Sequence, residues 1–176
     1  MIDGTFVAAG RVVIRRFRAE DAAILAAYRR DPEVARYQGW TAFSDAEARD
    51  FVAEMAASEP GVPGKWYQFA IGLVPAGALI GDVGLKRRGE EPSTADIGYT
   101  LAAAHQGRGL ANEAVRAVIE LAFERLGVER IVATIDDRNA RSLALARRLG
   151  MTEVEAIETV WLGEACVERV FALRRP

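Results

Sequence analysis

The spacing of apolar residues changes several times along the chain, and each change predicts a strand or a helix. Apolar residues alternate with polar ones, or run together, in segments such as RVVIRRF, TADIGYTL and RIVATID, which is typical of strands. After Gly109 the apolar residues recur three and four positions apart, which is typical of a helix with one buried face. In chain order the patterns predict a strand, two helices, three strands, a helix, a strand, a helix and two strands.

Local signals mark several of the helix ends. Ser44 precedes a helical segment and Glu47 follows three residues later, which is the pattern of a capping box. We expect an earlier helix to end at Asp31-Pro32 and the last helix to end at Gly150, because proline and glycine disfavour the continuation of a helix.

The order of elements predicts an α/β (α+β) fold. The early strands adjoin in sequence and can pair antiparallel, whereas the later strand–helix–strand unit requires a parallel crossover. We therefore predict a mixed, largely antiparallel, twisted sheet of six to seven strands with about four helices on its faces. The 176 residues suit one domain, residues 1–176, since no long linker divides the chain.

Composition excludes several classes of protein and site. The formal net charge of -2 gives no signal for nucleic-acid binding. With one cysteine, Cys166, and one histidine, His105, the chain cannot form an internal disulfide, a multi-cysteine metal site or a two-histidine metal site, and we expect no metal. No apolar run reaches membrane length, and the N-terminus MIDGTFVAAG lacks the features of a signal peptide. We expect a cytoplasmic protein with no nucleic-acid or membrane partner.

The stretch HQGRGLANEA joins a glycine-rich turn to the start of a helix. The first N–H groups of a helix have no partner inside it, and the helix dipole adds partial positive charge there, so such an end can bind phosphate. Gly107 and Gly109 would let an anion approach the backbone, and Arg108 would add an N–H group and a cation. The alternative is that the glycines only form a tight turn into the helix.

Two known phosphate-binding loops fit this stretch poorly. A Walker A loop needs Gly-Lys-Ser/Thr after its spacer, which the sequence lacks. A dinucleotide-binding loop would have glycine or alanine in place of Asn112, and its first glycine would directly follow the strand, whereas TADIGYTL ends several residues before Gly107. A nucleotide-linked protein of another fold stays open as an alternative.

Two motifs resemble those of the GNAT N-acetyltransferases. ADIGYTLAAAHQGRGLANEA resembles their motif A, whose pattern Gln/Arg-x-x-Gly-x-Gly/Ala is met by Gln106, Gly109 and Ala111. DDRNARSLALARRLGMTEV resembles the motif that follows, in which an asparagine opens a helix. RVVIRRFRAEDA, DPEVARYQGW and Ser142, three residues after Asn139, are similar to the RimJ/RimL-like branch. The resemblance covers nearly the whole chain and implies a sheet that splays at the motif A strand.

The resemblance implies an acyltransferase that uses acetyl-CoA as its donor. The family moves the acetyl group to a primary amine, on a protein N-terminus or a small molecule, by direct attack in a ternary complex. The donor site implied by the motifs comprises Tyr99, Thr100, Leu101, Gln106, Gly107, Arg108, Gly109, Leu110, Ala111, Asn112, Asn139 and Ser142. Asn139 could instead be only a helix cap. Arg141, Arg147 and Arg148 either reach the terminal phosphate of coenzyme A or face solvent.

Acetyl transfer requires a group that accepts the amine proton and, for the leaving thiolate, a group that donates one. Many family members carry a tyrosine donor seven residues after the helix-opening asparagine, where this chain has Ala146. We interpret Ser142 as the replacement donor, or else as a hydroxyl on the helix surface. No nucleophile motif surrounds Cys166, which favours direct transfer without an acetyl-enzyme.

Two carboxylates are candidates for the catalytic base. In EVEAIETVWL, Glu158 alternates in phase with Val154, Val160 and Leu162, so we predict a carboxylate on an otherwise apolar, buried face. Asp96 stands at a strand position where related enzymes often carry an acidic base. The alternatives are a salt bridge for Glu158 and a solvent or turn contact for Asp96.

Aromatic and acidic residues predict an acceptor site that favours cationic amines. Tyr37, Trp40 and Trp66 could line it, with Glu158 nearby, since aromatic faces and carboxylates attract ammonium groups. The same side chains could instead fill the core or face water. A noncatalytic module that binds acyl-CoA as a sensor is the alternative to an enzyme, and the sequence leaves a homodimer open.

Overall fold

The computed structural model describes residues 4–40, 43–89, 93–161 and 163–176. The strands are β1 (Thr5–Ala9), β2 (Val12–Arg15), β3 (Trp66–Leu73), β4 (Ala78–Arg87), β5 (Thr94–Leu101), β6 (Arg130–Asp136), β7 (Thr152–Trp161) and β8 (Glu164–Arg174). The helices are α1 (Asp21–Arg30), α2 (Pro32–Ala35), α3 (Asp45–Ala57), α4 (Leu110–Arg125) and α5 (Ala140–Arg148). A short 3₁₀ turn at Ala103–His105 follows β5.

The strands lie in the order β1-β2-β3-β4-β5-β6-β8-β7. Neighbouring strands are antiparallel except β5 and β6, which run parallel. The predicted mixed, largely antiparallel sheet is confirmed. The sheet has eight strands, one more than the upper predicted number of seven. The additional strand is β1, whose five residues are too few to show a hydrophobic period and form a strand by pairing with β2.

The predicted helix ends agree with the structure. Ser44 and Glu47 form both hydrogen bonds of the capping box: the Glu47 N–H lies 3.1 Å from Ser44 Oγ, and the Ser44 N–H lies 2.7 Å from Glu47 Oε2. α1 ends before Asp31, whose side chain then caps the single turn of α2, a helix that the sequence pattern did not indicate. Gly150, with φ 83°, follows α5.

The helices are divided between the two faces of the sheet. On one face, which we call the α1 face, α1 packs on β4 and α3 packs on α1. On the other face α4 packs on the central strands β4 and β5 and on β1 and β2. The helical spacing after Gly109 predicted one buried side for α4, and its apolar residues are buried there, including Leu110, Ala114, Val118, Leu121 and Ala122.

The start of α1 is held by a buried ion pair. Arg15 Nη1 lies 2.6 Å from Asp21 Oδ2, and Nη2 lies 2.8 Å from Oδ1. The same guanidinium donates to the carbonyl oxygens of Gly77 and Arg16. The side chains of Arg15 and Asp21 are only 1% and 3% exposed, so this pair joins β2, α1 and the β3–β4 turn inside the protein.

β5 and β6 pair only at their first residues. Residues Thr94–Asp96 pair with Arg130–Val132, and β5 then continues beside β4 alone. From Ile97 onward one edge of β5 therefore faces a gap in the sheet. The motif A strand splays as predicted, and this gap positions the candidate site.

Candidate active site

A cavity of about 620 Å³ lies at the gap between β5 and β6. Its walls come from the end of β5, the loop before α4, the first turns of α4 and α5, and the segment 33–38. The residues that line it are Glu33, Val34, Arg36, Tyr37, Gln38, Tyr99, Thr100, Leu101, His105, Gln106, Gly107, Gly109, Leu110, Ala111, Asn112, Arg138, Asn139, Ala140, Arg141, Ser142, Ala144, Leu145 and Arg148. The cavity thus brings together eleven of the twelve residues predicted for the donor site, all but Arg108.

The glycine loop enters the cavity in a conformation that favours glycine. Gly107 and Gly109 have φ values of 73° and 79°, in the left-handed region. A Cβ on Gly107 would meet no described atom within 4 Å, so any side chain there would stand in open space. α4 starts at Leu110, and the free N–H groups of its first turn give this end of the cavity partial positive charge.

An arginine that the sequence did not single out holds the loop from behind. Arg11, in the β1–β2 turn, donates from Nη2 to the carbonyl of Arg108 at 2.9 Å and pairs with Glu113 Oε1. A Cβ on Gly109 would come within 3.3 Å of the same Nη2. Arg108 therefore contributes its carbonyl to this anchor. Hydrogen bonds from Arg11 also hold the pKa of Glu113 below its usual value.

Positive charge gathers around the cavity, in side chains that include Arg36, Arg138, Arg141 and Arg148. Arg141 Nη1 lies 2.6 Å from Gln106 Oε1, and the Gln106 amide donates to the carbonyl of Leu101 at 2.8 Å. Gln106 thus links β5, the loop and α5. Arg147, by contrast, lies over the Phe171 ring at 5.8 Å.

α5 presents two polar groups to the gap. The Asn139 side chain accepts the Ser142 N–H at 3.1 Å, so the helix cap proposed for Asn139 is present, and Asn139 also lines the cavity. The Tyr99 hydroxyl reaches from β5 and donates to the carbonyl oxygen of Ser142 at 3.3 Å. Burial raises the pKa of Tyr99 to about 12, so this hydroxyl stays protonated at neutral pH. The sequence predicted Tyr99 for the donor site but did not indicate this contact of its hydroxyl with α5.

Comparison with known proteins fits this geometry. Residues 11–152 match the family of the acetyltransferase (GNAT) domain. The chain belongs to the GNAT acetyltransferases. It is similar to the uncharacterized N-acetyltransferase p20 of Bacillus licheniformis, with 34% identity over 140 residues that cover 79% of this chain and 78% of p20.

Solved acetyltransferase structures share the fold over almost the whole chain. A putative ribosomal-protein-serine acetyltransferase from Vibrio cholerae is 26% identical, with a TM-score of 0.74 and 98% of each chain covered. RimL, a ribosomal alpha-N-protein acetyltransferase solved with coenzyme A, is 18% identical, with a TM-score of 0.83 and 97% of each chain covered. The predicted likeness to RimL-type enzymes therefore extends to the three-dimensional fold.

The aromatic residues predicted for the acceptor site lie in different parts of the structure. Tyr37 lies at the donor cavity, where its hydroxyl donates to the carbonyl of Arg138 at 3.2 Å. The Trp40 ring is covered by the guanidinium of Arg29, 4.4 Å from the ring centroid, so this face is not open to a substrate ammonium. Phe43 and Phe51 complete the same cage around Arg29. An internal cation thus already occupies one face of the Trp40 ring, and a role of Trp40 in acceptor binding stays a prediction.

Trp66 is 44% exposed and lies in a separate cavity on the α1 face. The Lys86 ammonium lies 5.0 Å from the Trp66 ring centroid. Asp96 lies beside them and is bound by two cations, with Arg88 Nη2 at 2.5 Å and Lys86 Nζ at 3.5 Å. Asp96 thus already has two cationic partners within the protein.

The predicted burial of Glu158 is wrong. β7 is the last strand of the sheet, Glu158 is exposed, and the in-phase neighbours Val154 and Val160 are 52% and 66% exposed. Alternation predicts a buried face only where another layer covers it, and the described helices leave β7 uncovered. Leu162, the last residue of the predicted face, lies outside the described residues. Glu158 is also separate from the lining of the 620 Å³ cavity as far as the described residues define it.

Proposed function

We propose that the protein transfers an acetyl group from acetyl-CoA to a primary amine, on a protein N-terminus or a small molecule, by direct attack in a ternary complex. The observation that carries this proposal is the cavity at the gap between β5 and β6, which gathers the glycine loop, the end of β5 and the start of α5. RimL, an acetyltransferase with the same fold, has been solved with coenzyme A.

The donor would use three parts of the cavity. The pyrophosphate would bind the backbone N–H groups from Gly107 to Ala111, where the helix end favours an anion. The pantetheine amides would pair with the backbone of β5 at residues 99–101, whose edge loses its β6 partner after Asp96. Arg141 and Arg148 would attract the terminal phosphate. Metal-ligating side chains are not grouped in threes or more within the described residues.

The reaction requires a neutral amine and a protonated leaving group. The amine nitrogen attacks the thioester carbonyl, the C–S bond breaks, and the thiolate takes a proton. Ser142 at the cavity is the group that we assign as its donor, and the neutral Tyr99 hydroxyl holds the Ser142 backbone. With Asp96 paired and Glu158 exposed, we propose that the amine loses its proton to solvent water.

The proposed function is tested by thiol release from acetyl-CoA with a panel of amines and N-terminal peptides. Turnover with at least one acceptor supports the enzyme. Binding of acetyl-CoA without release of thiol across the panel would instead favour the noncatalytic sensor.

Replacing Gly107 with aspartate should weaken acetyl-CoA binding more than tenfold, or by over about 1.4 kcal/mol, because a carboxylate would enter the proposed pyrophosphate site. Gly127→Asp is the matched control: Gly127 also has a positive φ, 64°, and an open Cβ position, but it follows the far end of α4. Calorimetry should give wild-type affinity for this control. Equal losses in both variants would show a backbone effect and contradict the assigned phosphate site.

Replacing Cys166 with serine should preserve most of the turnover. Cys166 is buried in β8, and burial raises the pKa of its thiol, so it is a poor nucleophile. Mass spectrometry after mixing with acetyl-CoA should find no acetyl group on the protein. A trapped acetyl-Cys166 would overturn direct transfer.

A further inference from the structure

The turn between β1 and β2 clasps the first turns of α4 through one carboxylate. Arg11 donates to Glu113 from its backbone N–H, 2.8 Å from Oε2, and from its side-chain Nε, 2.9 Å from Oε1. A Cβ on Gly10 would come within 2.8 Å of Glu113 Oε2, so the carboxylate lies against the bare Cα of this glycine. The Arg11 carbonyl accepts the Val74 N–H at 3.0 Å, which ties the turn to the residue after β3. Both the backbone and the side chain of Arg11 are therefore held in place.

The same side chain fixes one peptide plane of the glycine loop. Arg11 Nη2 lies 2.9 Å from the carbonyl oxygen of Arg108 and donates to it. In a trans peptide the carbonyl and the N–H that follows it point in opposite directions. The Gly109 N–H shares its plane with this carbonyl and therefore points away from Arg11. Gly109 lines the donor cavity, whereas Arg11 and Arg108 are not among its described lining residues, so the peptide presents its N–H to the cavity.

The loop by itself does not secure this orientation. Gly109 has a φ of 79°, and glycine adopts φ values of either sign about equally readily, so rotation of the peptide before it meets little steric resistance. Within the described part of the chain, the Gly109 N–H has no hydrogen-bond partner that would hold the plane from the other side. The rotated peptide would turn the Arg108 carbonyl oxygen toward the proposed pyrophosphate site, where its partial negative charge would repel the anion.

We propose that Arg11 is a positioning residue for the donor: it holds the Arg108–Gly109 peptide with its N–H toward the cavity and so keeps the glycine loop ready to bind the pyrophosphate of acetyl-CoA. This inference rests on the proposed function. Glu113 contributes by fixing the guanidinium of Arg11, with which it also forms an ion pair. The alternative is direct attraction between this guanidinium and the anion, and the two roles give Glu113 opposite effects. A carboxylate that anchors the positioning group strengthens donor binding, whereas one that neutralises a directly binding cation weakens it.

The test measures the dissociation constant of acetyl-CoA by calorimetry in variants of the clasp. Arg11→Met should weaken binding about threefold to tenfold, the loss expected for one hydrogen bond. Arg11→Lys retains a cation and a donor and should recover part of this affinity. Glu113→Ala should also weaken binding, although it removes a negative charge near the proposed anion site. The variant that carries both Arg11→Met and Glu113→Ala should bind no more weakly than Arg11→Met, since both changes release the same peptide.

Arg125→Met is the matched control. Arg125 lies at the far end of α4 and donates to the carbonyl of Phe6 on β1 at 3.2 Å, so this variant also removes one arginine and one bond between α4 and the strands at the edge of the sheet. It should bind acetyl-CoA like the wild type. Steady-state kinetics with a confirmed acceptor separate binding from chemistry. In Arg11→Met, KM for acetyl-CoA should rise while kcat at saturating donor changes far less, and kcat/KM with S-acetylpantetheine, which lacks the pyrophosphate, should match the wild type.

Wild-type affinity in Arg11→Met, or an equal loss in Arg125→Met, would overturn the inference. Tighter binding in Glu113→Ala would make Arg11 a direct partner of the anion and contradict its role through the loop. An equal loss of kcat/KM with acetyl-CoA and with S-acetylpantetheine would show a general defect of the protein and would likewise overturn the inference. A wild-type protein that does not bind acetyl-CoA would instead be the failure of the proposed function.

Discussion

Replacing Ser142 with alanine should lower kcat about 100-fold, the typical cost of losing an acid–base group. The reason is that the leaving thiolate would lose the hydroxyl that we assign as its proton donor. Acetyl-CoA affinity should change little, because the Ser142 N–H would still donate to the Asn139 side chain and the Ser142 carbonyl would still accept from the Tyr99 hydroxyl. Steady-state kinetics at saturating donor, with a confirmed acceptor, measure kcat, and calorimetry measures the dissociation constant.

Tyr99→Phe is the matched control for this prediction, since it removes a second hydroxyl from the same cavity and retains Ser142. We expect a smaller loss of kcat in Tyr99→Phe than in Ser142→Ala. Because the pKa of Tyr99 is raised to about 12, its hydroxyl stays neutral through the range in which an ordinary tyrosine ionises, near pH 10. Ionisation of Tyr99 should therefore cause no fall in wild-type kcat between about pH 7 and about pH 10. A larger loss in Tyr99→Phe than in Ser142→Ala would make the tyrosine the proton donor and contradict our assignment.

Replacing Arg15 with methionine should lower the free energy of unfolding by about 3–5 kcal/mol, because Asp21 would be left as a buried charge without its partner. The pair is almost fully enclosed, at 1% and 3% exposure, and five hydrogen bonds from Arg15 would be lost with it. Urea denaturation measures the change. Adding Asp21→Asn to Arg15→Met should recover part of the loss, since the unpaired charge is then removed.

Glu59→Gln provides the surface comparison. Glu59 pairs with Arg16 at 2.7 Å but is 73% exposed, and exposed pairs contribute about 0–1 kcal/mol. This variant should therefore unfold almost like the wild type. A loss in Arg15→Met no larger than that in Glu59→Gln would contradict the stabilising role of the buried pair.

The sequence by itself determined those features whose cause is local. Hydrophobic spacing depends on neighbouring residues, so it predicted the strands from β2 onward and the buried side of α4. The capping box at Ser44 and the glycine loop before α4 are also local, since a side chain or a positive φ acts within a few residues. The candidate donor residues 99–101 and 106–112 could be predicted for the same reason, because they lie close together along the chain.

Only the tertiary structure decided which faces are covered and which charges meet. β7 has the alternation of a half-buried strand, but its position at the sheet edge leaves Glu158 in solvent. Trp40 has the chemistry to bind an amine, but Arg29, from α1, already lies over one face of its ring. Arg11 reaches the glycine loop across 97 residues of chain. Contacts of this kind depend on packing between distant segments, about which the local pattern carries no information.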